Sequence, residues 1–251
     1  MTQEDIQRFA ELCRQDRALC ENDGDSIGTY NEKRLHRIFK RYITEDADCY
    51  EKRVGRYVAD VLCDGTFTEI QTGSFRSLTS KVAAYIESGE GSVCVLYPVI
   101  CEKTLIRADK DTGEIIRTSR SPKRSSAADV LGQMYYLRDL VGEPRFCVRV
   151  MGVNAEEYRF SEAQRYRKEG RYDNDLRPTE LVFEQILRTT SDYRALLPQA
   201  LVGVEFTVAE FSSATRIKNR KAYSALNFLT YIGVLQKRTE NRKSFYKTIE
   251  N

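Results

Sequence analysis

Between Tyr57 and Thr72 the chain carries two short β-favouring runs, Tyr-Val-Ala-Asp-Val-Leu-Cys and Thr-Phe-Thr-Glu-Ile-Gln-Thr, separated by Asp64-Gly65. An Asp-Gly pair supplies the backbone of a two-residue turn, so the stretch reads as strand, tight turn, strand. Alternation along a strand puts Glu69 and Gln71 on one face, with Ile70 packed behind them. Pairing about the turn sets Asp60, on the first strand, in roughly the same rung as Glu69. Side-chain oxygens at that spacing suit a hard divalent cation such as magnesium. The competing reading makes Asp60 and Glu69 ordinary strand-end charges. Their Val, Leu and Ile neighbours make unpaired carboxylates costly, which favours a metal partner.

The flanking segments predict a mixed α/β architecture. Residues 3–20 and 31–44 read as helices, the second with Leu35, Ile38, Phe39 and Tyr42 at helical spacing and Asn31 as its N-cap. Ser74 is expected to cap a helix through about Glu87, with Phe75, Leu78, Val82 and Ile86 on one side. Gly89 to Gly91 then lead into a buried strand, Ser92 to Val99. A second hairpin is expected at Thr104–Ala108 and Glu114–Thr118, then a helix near Ser126 to Val141 and a strand near Phe146 to Val153. From about Asn154 to Arg177 the chain is charged, tyrosine-rich and weakly periodic, which suits a linker. The expected division is 1–154, a linker at 155–177, and a second domain at 178–251 opened by a helix at Pro178.

The Asp60, eight residues, Glu69-Ile70-Gln71 pattern resembles the PD-(D/E)XK nuclease superfamily. Its common core is a helix, an antiparallel hairpin bearing Asp and Glu-x-Lys, a helix and a further strand. The resemblance covers roughly residues 30 to 150. It implies a restriction-endonuclease-like mixed sheet flanked by helices, a Mg2+ or Mn2+ cofactor, and hydrolysis of DNA phosphodiester bonds. Asp60 and Glu69 would hold the ion, and the Ile70 carbonyl would add a ligand. Glu32, on the preceding helix, corresponds to a glutamate that many relatives aim at the same metal.

Gln71 stands where the superfamily has lysine. An amide can orient an attacking water, but it can neither act as a base nor neutralise developing phosphate charge. Lys81, on the following helix, is a candidate migrated substitute, with a solvated helix lysine as the plainer alternative. His36, the only histidine, is read as a packing residue or a phosphate contact.

Near the C-terminus, Thr207 caps an expected helix of Val208 to Ala214, and a longer helix runs from about Asn219 to Ile232. Ala222, Ala225, Leu226, Leu229 and Ile232 make its apolar stripe, leaving Arg220, Lys221, Tyr223, Ser224 and Asn227 outward. Gly233 ends it, and strands at Val234–Arg238 and Ser244–Ile249 flank a basic turn containing Arg242 and Lys243. This order resembles a winged helix, for which Arg216 and Lys218 would join the DNA-contacting set.

Net charge is only +3, so distribution carries more weight than the total. Basic residues gather in 103–124, 159–177 and 216–247. Arg107, Arg117, Arg120, Lys123 and Arg124 suit either backbone phosphate contacts or a plain basic hairpin. Seven cysteines without a Cys-x-x-Cys pair read as buried thiols of a reducing compartment. No apolar stretch is long enough for a bilayer, so the expected location is cytoplasmic. Together these features predict a metal-dependent DNA endonuclease with a winged helix, acting on DNA as a homodimer or with a partner protein. The alternative is an inactive nuclease fold serving as a DNA-binding regulator or assembly protein.

Overall fold

The computed structural model describes residues 1–22, 31–109, 112–161 and 173–249. Two helices come first, α1 (Gln3–Asn22) and α2 (Asn31–Ile43), followed by strands β1 (Tyr50–Val54), β2 (Tyr57–Cys63) and β3 (Thr66–Ile70). Helix α3 (Thr79–Ser88), strands β4 (Ser92–Asp109) and β5 (Ile115–Arg120), the short α4 (Leu131–Met134), and the long strands β6 (Phe146–Ser161) and β7 (Asp173–Leu187) continue the chain. It closes with α5 (Thr190–Arg194), β8 (Phe206–Thr207), α6 (Val208–Thr215), α7 (Asn219–Tyr231), β9 (Leu235–Glu240) and β10 (Lys243–Thr248). The fold is α+β, with a mixed seven-stranded sheet flanked by helices. Its strand order is β1-β2-β3-β4-β6-β7, β5 pairing with β4 alone, and β8-β10-β9 form a separate sheet.

The chain forms two compact units, one of residues 1–48, 100–124 and 152–184, the other of residues 49–99, 125–151 and 185–251. This differs from the expected split at residues 154 and 177, because β4, β6 and β7 each pass from one unit into the other. In the first unit, α1 and α2 pack through Phe9, whose ring centroid lies 5.5 Å from Phe39 and 5.6 Å from Tyr42.

In the second unit, the Asp-Gly signal marks the turn it predicts. Asp64 and Gly65 have φ of 48° and 67°, the two positive values of a type I′ hairpin, and Cys63 pairs with Thr66. The sequence reading missed β1, which turns onto β2 through Gly55 and Arg56. Strand β3 then runs parallel to β4, a pairing that needs the α3 crossover. Where β4 begins, the Ser92 N–H donates to Gly65 O at 2.9 Å. A Cβ on the adjacent Gly91 would lie 2.1 Å from that oxygen, so only glycine fits there.

Two expected helices are corrected. From Pro178 the chain is strand β7. Proline is tolerated in β7 because this strand ends the strand order, and prolines within sheets are confined to such edge strands; Thr179, Val182, Phe183 and Ile186 favour strand besides. Residues 155–161 and 173–177 of the expected linker are likewise strand, while 162–172 lie outside the described residues. The helix expected near 126–141 is broken into a 3-10 turn, the single turn of α4 and a second 3-10 turn at Arg138–Leu140. Gly132 sits in it with its missing Cβ 3.2 Å from the Cβ and carbonyl of Lys221 on α7. Close approach of the two segments therefore takes precedence over helix continuity.

Candidate functional site

Strand β3 lies between β2 and β4, so both of its edges are paired, and the burial of successive side chains shows that both of its faces are covered as well. Phe67, Thr68, Glu69 and Ile70 are all buried, Glu69 being only 3% exposed. The β2–β3 register of Val61 with Thr68 and Leu62 with Phe67 makes Asp60 and Glu69 the next rung. Asp60 Oδ2 accepts the Ile70 N–H at 2.8 Å, which anchors its carboxylate to the end of the neighbouring strand.

Glu69 is held from α3. Lys81 Nζ donates to Glu69 Oε2 at 2.6 Å, and Tyr85 Oη donates to Oε1 at 3.3 Å. These two residues are four apart, hence on one face of the helix. Tyr85 is fully buried, stacked on Phe67 at 4.7 Å and edge-on to Tyr57 at 6.3 Å, so its hydroxyl has little freedom. Burial raises the Glu69 carboxyl most, the Lys81 hydrogen bond lowers it, the Asp60 charge raises it and the Tyr85 hydrogen bond lowers it, and the balance holds it at about 7. Burial first, then the Glu69 charge, raises the Tyr85 phenol. The result is a buried acid poised near neutrality against a partly exposed ammonium.

Of the residues singled out in the sequence, the structure brings Lys81 to Glu69 and sets Asp60 on the neighbouring rung; Tyr85, which also touches Glu69, was not among them. The sequence reading assigned Ile86 to the inward face of α3, whereas Val82 and Tyr85 are buried and Ile86 is half-buried. The i, i+4 spacing from Lys81 was the available signal. Ser74 does cap, accepting from the Arg76 N–H, but it starts a 3-10 turn at Phe75–Leu78 before α3.

Gln71 departs from its expected role. Its backbone N–H extends the β4 pairing to Leu96 O at 2.9 Å. Its side-chain amide donates to Ser74 O at 3.2 Å and Ser77 Oγ at 3.0 Å, and its Oε1 accepts the Gly73 N–H at 3.3 Å. These contacts commit the amide to the turn that launches α3. The Glu32 side chain lies outside the described residues, and His36 is half-buried on α2.

Among the described residues no group of three or more His, Cys, Asp or Glu side chains is arranged to hold a metal ion. The oxygen donors present are the two carboxylates and the nearby main-chain carbonyl of Ile70. Their chemistry fits a hard cation. The charge of Asp60 that raises Glu69 is a repulsion that such a cation would relieve.

In the C-terminal part of the second unit, Thr207 and Glu210 form a capping box for α6. Arg216 ends that helix with φ of 61°. On α7, Ala222, Ala225, Leu226, Phe228 and Leu229 are buried. Arg216, Lys218, Arg220, Lys221, Tyr223 and Asn227 are exposed, and Ser224 is half-buried. Strands β9 and β10 pair Glu240 with Lys243 across Asn241 and Arg242, which have φ of 47° and 63°, and Arg242 and Lys243 are exposed. Among the described residues none of these six arginines and lysines is ion-paired, whereas Arg238 is held by Glu205 and Glu240.

Residues 33–188 match a domain of unknown function, DUF8091. The chain belongs to the DUF8091 family. The matched region holds Asp60, Glu69, Lys81 and Tyr85 and stops before α5, so the DUF8091 domain contains the acidic site and excludes α6 to β10. No curated protein and no solved structure matches the chain. Among the described residues no helix is long and apolar enough to cross a membrane, and Cys13, Cys49, Cys63, Cys94, Cys101 and Cys147 are in no disulfide.

Proposed function

We propose that this DUF8091 protein is a metal-dependent DNA endonuclease with Asp60, Glu69 and Lys81 as its catalytic set. The observation that carries the reading is the 2.6 Å contact of Lys81 Nζ with buried Glu69. It supplies, from α3, the cation that Gln71 does not. The segment order around it, α2, the antiparallel strands β1 to β3, α3 and parallel β4, agrees with the element order of the PD-(D/E)XK core.

Asp60, Glu69 and the Ile70 carbonyl would hold Mg2+ or Mn2+. Such an ion, when bound, lowers the pKa of a coordinated water and polarises the scissile phosphate. Lys81, which stands beside Glu69, would offer its ammonium to the charge that develops on the phosphate. Tyr85 keeps the Glu69 carboxylate oriented through Oε1. The exposed, unpaired basic residues of α7 and the β9–β10 turn suit phosphate and groove contacts in the manner of a winged helix, its helix, strand, helix, helix, two-strand order being α5, β8, α6, α7, β9, β10.

Purified protein is incubated with supercoiled, linear and single-stranded DNA, with and without Mg2+ or Mn2+. Cleavage that needs the metal and disappears in Asp60→Asn and Lys81→Met is expected. No cleavage of any substrate, with no calorimetric metal binding, would overturn the enzyme reading and leave the inactive DNA-binding regulator, against which the retained carboxylates argue.

A further inference from the structure

The β4–β5 ribbon places two like charges directly opposite one another. In the antiparallel register Arg107 faces Arg117, Leu105 faces Ser119, and Thr104 faces Arg120. Opposed like charges destabilise a pair of strands, so the arrangement asks for an anion. Arg107, Arg117 and Arg120 are exposed, and none of them is ion-paired among the described residues. At the base of the ribbon the pattern differs, since Arg124 is matched by Glu102 and Lys103 by Glu157.

The ribbon end carries a second unusual feature. Arg107 pairs with Arg117 and the adjacent Ala108 with Ile115, leaving Ile116 as the extra residue of a β-bulge. Bulges re-aim side chains. Here Ile115 and Ile116 are 61% and 59% exposed, while Ile106 and Ala108 on β4 are buried. Two isoleucines in water beside an arginine pair suit a duplex groove, where a two-stranded ribbon fits and apolar side chains press against sugars or base steps between phosphate-bound arginines.

We propose that the β4–β5 ribbon is a second duplex-DNA-binding element, with Arg107 and Arg117 on backbone phosphates and Ile115 and Ile116 against the groove. This deepens the nuclease reading, since it rests on DNA as the substrate, and it assigns binding to a surface separate from α7.

The test is fluorescence anisotropy of the full chain with a labelled 25-base-pair duplex in EDTA, from about 50 to 200 mM salt. Arg107→Ala with Arg117→Ala is expected to weaken binding about tenfold at low salt. It should also cut the slope of log affinity against log salt by about 2, one phosphate contact for each arginine. Ile115→Ser with Ile116→Ser is expected to weaken binding without changing the slope and to reduce duplex bending read by energy transfer between end labels. All four positions are exposed, so unchanged circular dichroism is expected to show that the fold survives. Wild-type affinity and slope in the arginine variant overturn the proposal, as does an effect seen only with single-stranded RNA or an acidic peptide. EDTA removes the chemistry, so ribbon-dependent binding without later cleavage defeats only the nuclease reading. Metal-dependent cleavage with a wild-type slope defeats only the ribbon.

Discussion

Replacing Glu69 by Gln removes the charge that burial penalises and keeps the shape. The Gln oxygen can accept from Lys81, and its NH2 can donate to Tyr85 Oη, so no polar group is stranded. A tenfold change in a proton equilibrium is worth about 1.4 kcal/mol. A carboxyl moved from 4.5 to about 7 by folding therefore has its ionised form disfavoured, relative to its acid form, by about 3 kcal/mol. The sign follows from the raised value. The folded chain holds the Glu69 proton more tightly than the unfolded chain, so this stability is fully present below pH 4.5. It is lost as pH rises toward about 7 and does not return above that.

In EDTA, denaturant unfolding of the wild type is expected to show about 2 to 3 kcal/mol of loss between about pH 5 and pH 8 that Glu69→Gln does not show. The variant should then be the more stable protein at pH 8 while cleaving nothing, as expected where an active site stores an unfavourable charge. Adding Mg2+ at pH 8 should raise the wild type's midpoint and leave the variant's unchanged. Parallel stability curves for the two proteins, or a Glu69→Gln chain less stable at pH 8, would refute the reasoning.

Lys81→Met leaves Glu69 buried without its counter-charge, and the carboxyl is expected to take up a proton. Stability at pH 7 then falls by only about 1 to 2 kcal/mol, because protonation caps the cost of an unpaired charge, while cleavage falls by about 10²- to 10³-fold; urea unfolding and a plasmid-nicking assay measure the two. Tyr85→Phe keeps the ring stack on Phe67 and removes one donor from Glu69, so a loss of about 1 kcal/mol and a weaker metal affinity are expected, read by calorimetry. Gly91→Ala drives a methyl into Gly65 O, and a loss of at least about 2 to 3 kcal/mol is expected, visible as a lowered thermal midpoint.

The hairpin was legible because its signals are local. Asp64-Gly65 specifies a turn type, period-two alternation specifies the faces, and together they put Asp60 beside Glu69 before any tertiary information enters. The breaks in 126–141 and the strand from Pro178 were illegible for the opposite reason. Gly132 answers to Lys221, 89 residues away in sequence, and the proline is acceptable only because β7 ends the strand order. Gln71 and Lys81 show the same division within one site. The motif letter at Gln71 is a local fact and suggests a weakened enzyme. Its side chain ties down the Gly73–Ser77 turn, and that turn opens the helix that brings Lys81 to Glu69. Because the chain returns from β3 through this crossover, a helix lysine can stand beside the Glu69 carboxylate where the strand itself carries only an amide. The Asp60, Glu69 and Lys81 grouping is then a property of the β2–β3–α3 unit rather than of any three-residue motif.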